Sequence, residues 1–259
     1  MSLIKHIIDY FHPKLNKYGW RPQHPDIRDH QFTLENQPPL PISVDLRPQD
    51  TPIYDQGELG SCTGNAISGA IAFDLKKQKI GLFVPSRLYI YYNEREREGT
   101  VNQDAGAIIR DGIKTIASNG ACDENVWPYD ISKFNVKPSA AAYASGHKTK
   151  GVKYAAVNQD VNSIKQTLAA GYPIVFGFTA YPEFELPGVA QTGVLPMPTG
   201  NEAPVGGHAV IAVGYHQDYI TVRNSWGVNW GDKGYFYMPV AYITNPNLAS
   251  DLWVIEVVS

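Results

Sequence analysis

The stretch QGELGSCTGNAISGAIAFDLKKQ, residues 56–78, decides how the first half of this chain folds. Lys76 and Lys77 suit the negative end of a helix, and Gly81 follows as a terminator. Five apolar residues recur at the spacing of one helix face: Ala66, Ile67, Ala70, Ile71 and Leu75. The spacing therefore predicts a largely buried helix that begins near Cys62, directly after a glycine-containing loop.

The position of Cys62 favours reactive chemistry. A cysteine acts as a nucleophile only as the thiolate, and a helix N-terminus or a neighbouring imidazolium lowers the thiol pKa from about 8.5 into the range of about 3.5–7.5. The chain has two cysteines, Cys62 and Cys122, too few for a disulfide framework. A single bridge between them stays open at this point, but the helix start makes Cys62 a better nucleophile than a bridge.

The two halves of the chain differ in sequence pattern: the first half is predicted to be mainly helical, and the second half consists mainly of short strand-like runs. Further helices are predicted at about 86–97, 105–118 and 160–170, with turn-rich sequence over 123–150. From residue 174 onward the runs IVFGF, HAVIAVGY, YITVRN, GYFYM and LWVIEVV read as strands. This order predicts an α+β protein with a helical lobe at about 42–150 and a β-rich lobe at about 151–259. The long loop 183–207 is typical of a segment that borders a functional cleft.

A histidine and an asparagine fall on two of these runs. If the turn between the strands is centred on His216, His208 and Asn224 lie opposite each other, with Cβ atoms about 4.5–5.5 Å apart. Asn224 would then hold one ring nitrogen of His208 and leave the other to face a thiol. Such an arrangement of nucleophile, base and orienting group is typical of covalent catalysis.

Residues 1–41 form a leader that differs in composition from the rest of the chain and is rich in proline and histidine. A short amphipathic helix is predicted over residues 2–12, and the rest is predicted to run extended, either as a strap over the fold or as a disordered segment. Four of the seven histidines lie here, so the charge of a strap would rise below about pH 6.5. The start of the leader does not resemble a signal peptide, so we expect synthesis in a cytosol, with export by another route left open.

Composition narrows the classes of partner and cofactor. The net charge of -3 and the lack of a basic run make nucleic acid a poor partner. No apolar run reaches the 18 or more residues of a membrane-spanning helix. No CxxC or HExxH spacing indicates a metal, and no glycine loop for phosphate is evident, so we expect no cofactor.

Three segments together resemble the catalytic segments of the papain family of cysteine peptidases: QGELGSC at 56–62, GHAV at 207–210, and NSWG at 224–227 with WG at 230–231. They occur in the family's order of cysteine, histidine and asparagine, and the resemblance covers about residues 42–259. The leader strings GWRP at 19–22 and PDIRD at 25–29 resemble a bacterial or viral branch. So do Thr63, where the family usually has tryptophan, and Leu59, where other branches have a disulfide cysteine.

The resemblance implies a papain-like two-lobe fold with a β-barrel-like second lobe and the active site in the cleft between the lobes. It implies that Cys62 is the nucleophile that forms a thioester and that His208 is the general acid/base, the two resting as a thiolate–imidazolium pair. Asn224 would orient His208, and Trp226 would shield their hydrogen bond from water. The amide of Gln56 would form the oxyanion hole together with the Cys62 backbone N–H.

The same resemblance implies how a peptide is held. Asp104, Ala105 and Gly106 look like the segment that pairs with the substrate backbone, and Gly207 and Trp226 border the same site. By analogy with family precursors, the leader is a candidate inhibitory strap, with the alternative that it packs permanently on the back of the fold. We expect an endopeptidase, with a preference for an apolar side chain two residues before the cut. A papain-like acyltransferase or ligase and a catalytically silent peptide-binding module remain alternatives.

Overall fold

The computed structural model describes residues 18–35, 39–149 and 151–258. The helix predicted over residues 2–12 therefore lies outside the described part of the chain. In the described ranges the helices are α1 (Cys62–Gln78), α2 (Arg87–Glu98), α3 (Ile109–Asn119), α4 (Ala140–Gly146), α5 (Val161–Ala169), α6 (Pro187–Thr192) and α7 (Val240–Ile243). Single 3-10 turns occur at Arg47–Gln49, Ile131–Lys133, His147–Thr149 and Pro182–Glu185.

Helix α1 is the central element and confirms the opening prediction, since it begins at Cys62. Every residue from Cys62 to Leu75 is buried, because the helix contacts α2 on one side and strands of the sheet on the other. It ends before Gly81, at Lys79, which adopts the left-handed conformation (φ 58°) and donates its N–H to the Leu75 carbonyl. Cys62, the candidate nucleophile, is thus held at the start of a helix that is packed between α2 and the sheet.

The second lobe is one antiparallel sheet. Its strands are β1 (Ser43–Asp45), β2 (Val152–Ala156), β3 (Ile174–Ala180), β4 (Gly206–His216), β5 (Tyr219–Arg223), β6 (Tyr235–Pro239) and β7 (Ala249–Val257). The strand order is β2-β7-β3-β4-β5-β6, with β1 paired to the far end of β4. The five strand runs of the sequence are confirmed, whereas β1 and β2 are short, half-exposed strands that the sequence pattern did not indicate. Helices on one side and this sheet on the other make the predicted α+β, two-lobe architecture.

Several predicted local features differ from the structure, including helix α4 in the stretch 123–150 that was predicted as turn-rich and helix α6 in the predicted loop 183–207. Helix α3 begins at Ile109 rather than 105, because residues before it run extended along the cleft. The β4–β5 hairpin turns at Gln217, which has φ 53°, so that His216 pairs with Tyr219, and a bulge follows between Ala212 and Gly214. The register with the turn centred on His216 was therefore wrong. None of the described helices is both long and apolar enough to span a membrane.

Candidate active site

Cys62 is the first residue of α1 and is fully buried. The helix N-terminus directs unpaired backbone N–H groups and a partial positive charge at this position. Thr63, next to it, donates a hydrogen bond from its hydroxyl to the buried carboxyl of Glu94 and thereby ties the first turn of α1 to α2. The thiol is thus positioned by main chain on the helical side of the cleft.

His208 approaches from the opposite lobe, on strand β4, and is also fully buried. Its Nε2 lies 2.8 Å from Oδ1 of Asn224, while Nδ1 is buried without a hydrogen-bond partner among the described residues. Residue 224 follows β5, whose last pair is Arg223 with Ile211, so His208 is a diagonal rather than a direct neighbour of Asn224. The predicted contact exists although the register that suggested it was wrong.

Aromatic rings cover the pair of His208 and Asn224. The ring of Trp226 lies 4.9 Å from that of His208, with an angle of 34° between the planes. Phe178 and Phe184 approach the same imidazole at 5.8 Å and 6.0 Å. These rings lower the polarity around the imidazole, which disfavours its charged form.

Gln56 lies buried beside the first turn of α1. Its Nε2 donates to the Leu59 carbonyl at 2.9 Å, and its Oε1 accepts from the Ser225 hydroxyl at 2.6 Å. The side-chain amide is therefore oriented by one contact from each lobe. A donor held in this way needs little rearrangement when negative charge develops nearby.

Part of the leader runs directly over Cys62. We refer to residues 18–23 as the cleft segment. Its backbone pairs with both walls: the Trp20 N–H donates to the Gly207 carbonyl at 2.9 Å, Ala107 N–H donates to the Gly19 carbonyl at 2.7 Å, and Arg21 N–H donates to the Ala107 carbonyl at 3.0 Å. The cleft therefore holds an extended peptide, and that peptide belongs to the same chain.

The close approach of this peptide depends on glycines. A Cβ on Gly106, which has φ 66°, would lie 2.1 Å from the Gly19 carbonyl oxygen. A Cβ on Gly19 would lie 1.7 Å from the carbonyl oxygen of Gly60. Any side chain at either position would push the two backbones apart, so the prediction that Gly106 permits close approach of a peptide has a direct structural basis.

The other substrate-binding candidates divide into two groups. Gly207 accepts a main-chain hydrogen bond from the cleft segment, and Trp226 contacts the ring of Tyr18 at 5.9 Å. Asp104 instead accepts hydrogen bonds from the Gly60 N–H at 3.0 Å and 3.1 Å and so braces the loop before Cys62. Ala105 makes no main-chain hydrogen bond to the described residues of the leader. The main-chain hydrogen bonds to the leader on this wall are made by Ala107.

The covered site is electrically neutral. Burial raises the pKa of the Cys62 thiol to about 12, although the backbone N–H groups of Ala209 and Gly19 act against this rise. Burial also lowers the pKa of His208 to about 4, although the hydrogen bond with Asn224 acts in the other direction. With the leader in place, burial therefore favours the thiol form of Cys62 and the neutral form of the His208 imidazole. This differs from the expected thiolate–imidazolium pair because the leader excludes the water that would stabilise both charges.

Sequence reasoning missed two residues that contact each other in the cleft. Trp20 and Asp251 meet in the cleft, 231 residues apart, with the indole Nε1 donating to Oδ2 at 3.0 Å. GWRP was noted only as part of a branch-specific string, and Asp251 directly precedes the run LWVIEVV at 252–258. Among the described residues no group of three or more His, Cys, Asp or Glu side chains could hold a metal ion.

A buried thiol at a helix start, an imidazole oriented by an amide and a cleft that holds extended peptide together define the class of papain-like thiol hydrolases. A family model described as "Papain family cysteine protease" matches residues 40–252. The chain belongs to the papain family of cysteine proteases.

Known relatives agree with the bacterial or viral resemblance. An uncharacterized peptidase C1-like protein of Acanthamoeba polyphaga mimivirus is 47% identical over 250 residues, which cover 90% of this chain and 80% of that protein. Chymopapain of Carica papaya is 28% identical over 82% of this chain and 58% of its own length. The chain thus spans little more than half the length of that plant relative.

Among solved structures, Xylellain, a cysteine protease from Xylella fastidiosa, superposes with a TM-score of 0.88 at 43% identity, covering 95% of this chain and 98% of that one. Digestive procathepsin L 3 of Tenebrio molitor superposes with a TM-score of 0.70 at 20% identity, over 89% of this chain and 75% of that one, which is a likeness of fold.

Proposed function

We propose that this protein is a cysteine endopeptidase that is held inactive by its own leader. The observation that carries the proposal is the main-chain pairing of residues 19–21 with both walls of the cleft above Cys62. Walls that hydrogen-bond to backbone groups bind a peptide whatever its sequence, and the side-chain pockets then supply specificity.

In the proposed mechanism, the sulfur of Cys62 attacks the carbonyl carbon of the substrate once the leader has left. His208 takes the thiol proton and later donates it to the nitrogen of the departing amine, which leaves a thioester on Cys62. Water then attacks the thioester with His208 as general base, and the acid is released. The hydrogen bond with Asn224 holds the imidazole so that Nδ1 remains available for these transfers.

The oxygen of the attacked carbonyl becomes negatively charged in this reaction. The Cys62 backbone N–H and the Gln56 amide are the donors that we assign to it. Loss of such a donor typically costs about 10²–10³ in rate. Gln56 is fixed by Leu59 and Ser225, so a change at either neighbour acts on the rate through the position of this amide.

The leader fits the role of an inhibitor. The group of Gly19 that faces the Cys62 sulfur is its backbone N–H, which donates a hydrogen bond to the sulfur. The Gly19 carbonyl points instead to the N–H of Ala107. The peptide therefore fills the cleft while its carbonyl is directed away from the nucleophile.

The experiment compares the full-length chain with Cys62→Ala and Cys122→Ala variants on a fluorogenic dipeptide under reducing conditions from pH 4 to 8. Product and protein mass are followed together. We expect turnover by the wild type and Cys122→Ala, none by Cys62→Ala, and loss of an N-terminal piece ending near residue 41 only where Cys62 is present. The two cysteines are both fully buried, so the comparison separates the proposed nucleophile from a general effect of removing a thiol.

Other outcomes point to the alternative functions. Turnover without loss of mass would support the peptidase function and would indicate that the leader is a permanent structural part of the fold. Transfer of the acyl group to an added amine, in preference to water, indicates a ligase. A Cys62 that neither turns over peptide nor reacts with iodoacetamide, even after residues 1–41 are removed, indicates a silent binding module and contradicts the proposal.

A further inference from the structure

Tyr129 reaches the loop that carries both donors assigned to the oxyanion. The loop runs from Gln56, whose side-chain amide is one donor, to Cys62, whose backbone N–H is the other. The Tyr129 hydroxyl donates to the backbone carbonyl of Gln56 at 3.0 Å, across 73 residues of sequence. The same hydroxyl bonds to the hydroxyl of Ser61. One phenol therefore joins the residue that bears the first donor to the residue directly before the second.

The hydrogen bonds around this phenol form a chain with one direction. A phenol has a single hydrogen, so a Tyr129 that donates to Gln56 accepts from the Ser61 hydroxyl. Ser61 accepts in turn from Nδ2 of Asn65 at 3.1 Å, and the same amide donates to the Ser61 carbonyl at 2.9 Å. Hydrogen bonds in such a series strengthen one another. The chain starts on helix α1, which begins at Cys62, and it ends on the backbone that carries the Gln56 amide.

Arg87, on helix α2, holds the ring of Tyr129 from behind. Its guanidinium carbon lies 3.9 Å from the centre of the ring, and a cation in this position is attracted to the ring face. Nη1 of Arg87 donates to Oδ1 of Asn65 at 3.3 Å and to the Asp55 carbonyl at 3.2 Å. An ion pair of 2.7 Å with Glu124 fixes the other side of the guanidinium. The position of the phenol is thus set by a group that also contacts helix α1 and the start of the loop.

The spacing of the two donors decides how well they stabilise an oxyanion. Each donor must lie about 2.7–3.1 Å from the oxygen in the transition state, and a misplacement of about 1 Å costs up to about 10²-fold in rate. The loop between the donors contains Gly57 and Gly60, and Gly57 has φ 62°, so this backbone has more freedom than one without glycine. A connection between the two ends of the loop limits that freedom. The hydrogen bonds of Tyr129 make such a connection.

We propose that Tyr129 is a positioning residue for the oxyanion hole, which keeps the Gln56 amide and the Cys62 backbone N–H at the spacing that the charged oxygen requires. The inference rests on the proposed peptidase function and deepens it. Tyr129 acts through Gln56 and Ser61 and not on the substrate itself. Its loss should therefore lower the rate only of reactions that place negative charge on the carbonyl oxygen, by about 10- to 30-fold, which is part of the effect of removing a donor outright.

Tyr129→Phe should leave the loop folded, because other groups also hold it. Phenylalanine keeps the aromatic ring that packs on Arg87. The Gly60 N–H keeps its hydrogen bond to Asp104 at 3.0 Å, and Asp104 itself accepts from the hydroxyl of Tyr91 at 2.5 Å. The variant therefore removes the connection between the two ends of the loop and leaves these supports in place.

The test compares full-length chains of the wild type, Tyr129→Phe and Tyr143→Phe. Tyr143→Phe is the matched control, since the Tyr143 hydroxyl donates to Oδ1 of Asn93 at 3.0 Å in the same lobe. Turnover of the fluorogenic dipeptide gives kcat and KM per mole of alkylatable Cys62. Iodoacetamide measures the thiol itself, because the sulfur displaces iodide from a saturated carbon and no oxyanion forms. In Tyr129→Phe we expect kcat to fall about 10- to 30-fold, with KM and the alkylation rate within about twofold of the wild type. Tyr143→Phe should change none of the three.

A peptide aldehyde gives a second measurement that needs no turnover. The sulfur of Cys62 adds to the aldehyde carbon, His208 takes the thiol proton, and the former carbonyl oxygen carries the negative charge in the hole. The corresponding alcohol has no carbonyl and does not add. We expect the ratio of aldehyde affinity to alcohol affinity to fall about 10- to 30-fold in Tyr129→Phe and to stay unchanged in Tyr143→Phe.

Three results would overturn the proposal. Equal losses in kcat and in the alkylation rate of Tyr129→Phe would show that the phenol supports the whole site and not the hole. An unchanged kcat and an unchanged aldehyde ratio would show that it supports neither. A wild type that binds the aldehyde no better than the alcohol has no hole for Tyr129 to position. Failure of the peptidase function is a different result, namely no Cys62-dependent turnover by any chain, and the aldehyde ratio then decides on Tyr129 alone.

Discussion

The described leader has two parts that contact the fold in different ways. The cleft segment, residues 18–23, places Trp20 at 6% exposure and bonds its backbone to both lobes. Residues 24–35, here the surface segment, run over the outside, and Ile27 projects fully into solvent. The surface segment is attached by the ion pair of Asp29 with Arg110, by the pairing of residues 30–32 with Ala156, and by the ring contact of Phe32 with Tyr172.

This difference predicts that the cleft segment, rather than the surface segment, holds the leader closed over Cys62. The cleft segment covers the thiol and contributes a large buried side chain, so most of the free energy of closure should lie there. The surface segment makes contacts that water and salt can replace at small cost. The rate at which iodoacetamide alkylates Cys62 measures how often the cleft is uncovered, and buried Cys122 reports on global unfolding in the same sample.

The largest effect is expected from truncating the anchor of the cleft segment. Trp20→Ala removes an indole that is buried between Gly177 and Gly207 and bonded to Asp251. Removal of a buried tryptophan side chain typically costs about 3–5 kcal/mol. We expect alkylation of Cys62 to accelerate about 10²- to 10³-fold, with alkylation of Cys122 unchanged.

Phe32→Ala is the matched aromatic truncation in the surface segment. Phe32 is only partly buried, and its ring lies 5.2 Å from that of Tyr172. We expect its effect on Cys62 alkylation to stay below about tenfold, in line with the 0.5–1.5 kcal/mol of an aromatic pair. Equal acceleration by Trp20→Ala and Phe32→Ala would show that the two segments contribute equally to closure of the cleft.

Gly19→Ala tests closeness of approach rather than burial. The added methyl would lie 1.7 Å from the Gly60 carbonyl oxygen, so the cleft segment must move away from the loop before Cys62. Overpacking of this kind typically costs about 1–3 kcal/mol, and we expect alkylation of Cys62 to accelerate about 5- to 100-fold. Gly188→Ala is the control, since a Cβ there meets nothing within 4 Å. An unchanged alkylation rate in Gly19→Ala would mean that the cleft segment does not hold this position.

The cleft segment should also be released by acid, through His208. Closure lowers the pKa of His208 to about 4 from its usual 6.5, because the covered imidazole is buried. The open state therefore binds a proton that the closed state cannot, and closure weakens as pH falls from about 6.5 towards 4, by at most about tenfold per pH unit. Burial raises the pKa values of the Glu98 and Asp251 carboxyls, so these groups bind protons more readily in the closed state and oppose this trend.

Proteolysis of the leader by an added acid-tolerant protease measures this release in a Cys62→Ala chain, which lacks the proposed nucleophile. Cleavage within residues 18–23 should accelerate as pH falls, relative to an unstructured peptide of the same sequence. Adding His208→Gln should flatten the profile, because glutamine does not titrate. A profile that keeps its slope in the double variant would assign the release to other groups.

The sequence predicted those parts of the site that depend on local pattern. The apolar spacing of α1 placed Cys62 at a helix start, because a helix's buried face is written into every third or fourth residue. The segments around His208 and Asn224 were identified as neighbouring strands because both are short runs rich in β-forming residues with a turn between them. Their register was not, since the turn at Gln217 and the bulge after Ala212 are properties of strand pairing and leave no period in the sequence.

The features that depend on contacts between distant segments were out of reach. Nothing near Trp20 or Asp251 in the sequence indicates that they meet, and the bulge that aims Asp251 into the cleft arises from the pairing of β7 with β3. The neutrality of Cys62 and His208 likewise depends on what covers them. The motif identified the candidate reacting groups, whereas their protonation depends on a segment about 40 residues before Cys62 and about 190 residues before His208.

The smallest effect is expected in the surface segment, where two ion pairs allow a controlled comparison. Asp29→Asn removes the partner of Arg110, which joins the leader to helix α3. Arg110 regains water when the leader opens, so we expect Cys62 alkylation to rise only about two- to fivefold. Arg28→Ala removes a pair with Asp26 that lies wholly within the leader, and Arg28 is 83% exposed, so we expect no measurable change. An increase in Asp29→Asn as large as that in Trp20→Ala would mean that the leader is held from outside the cleft and that the buried indole merely follows.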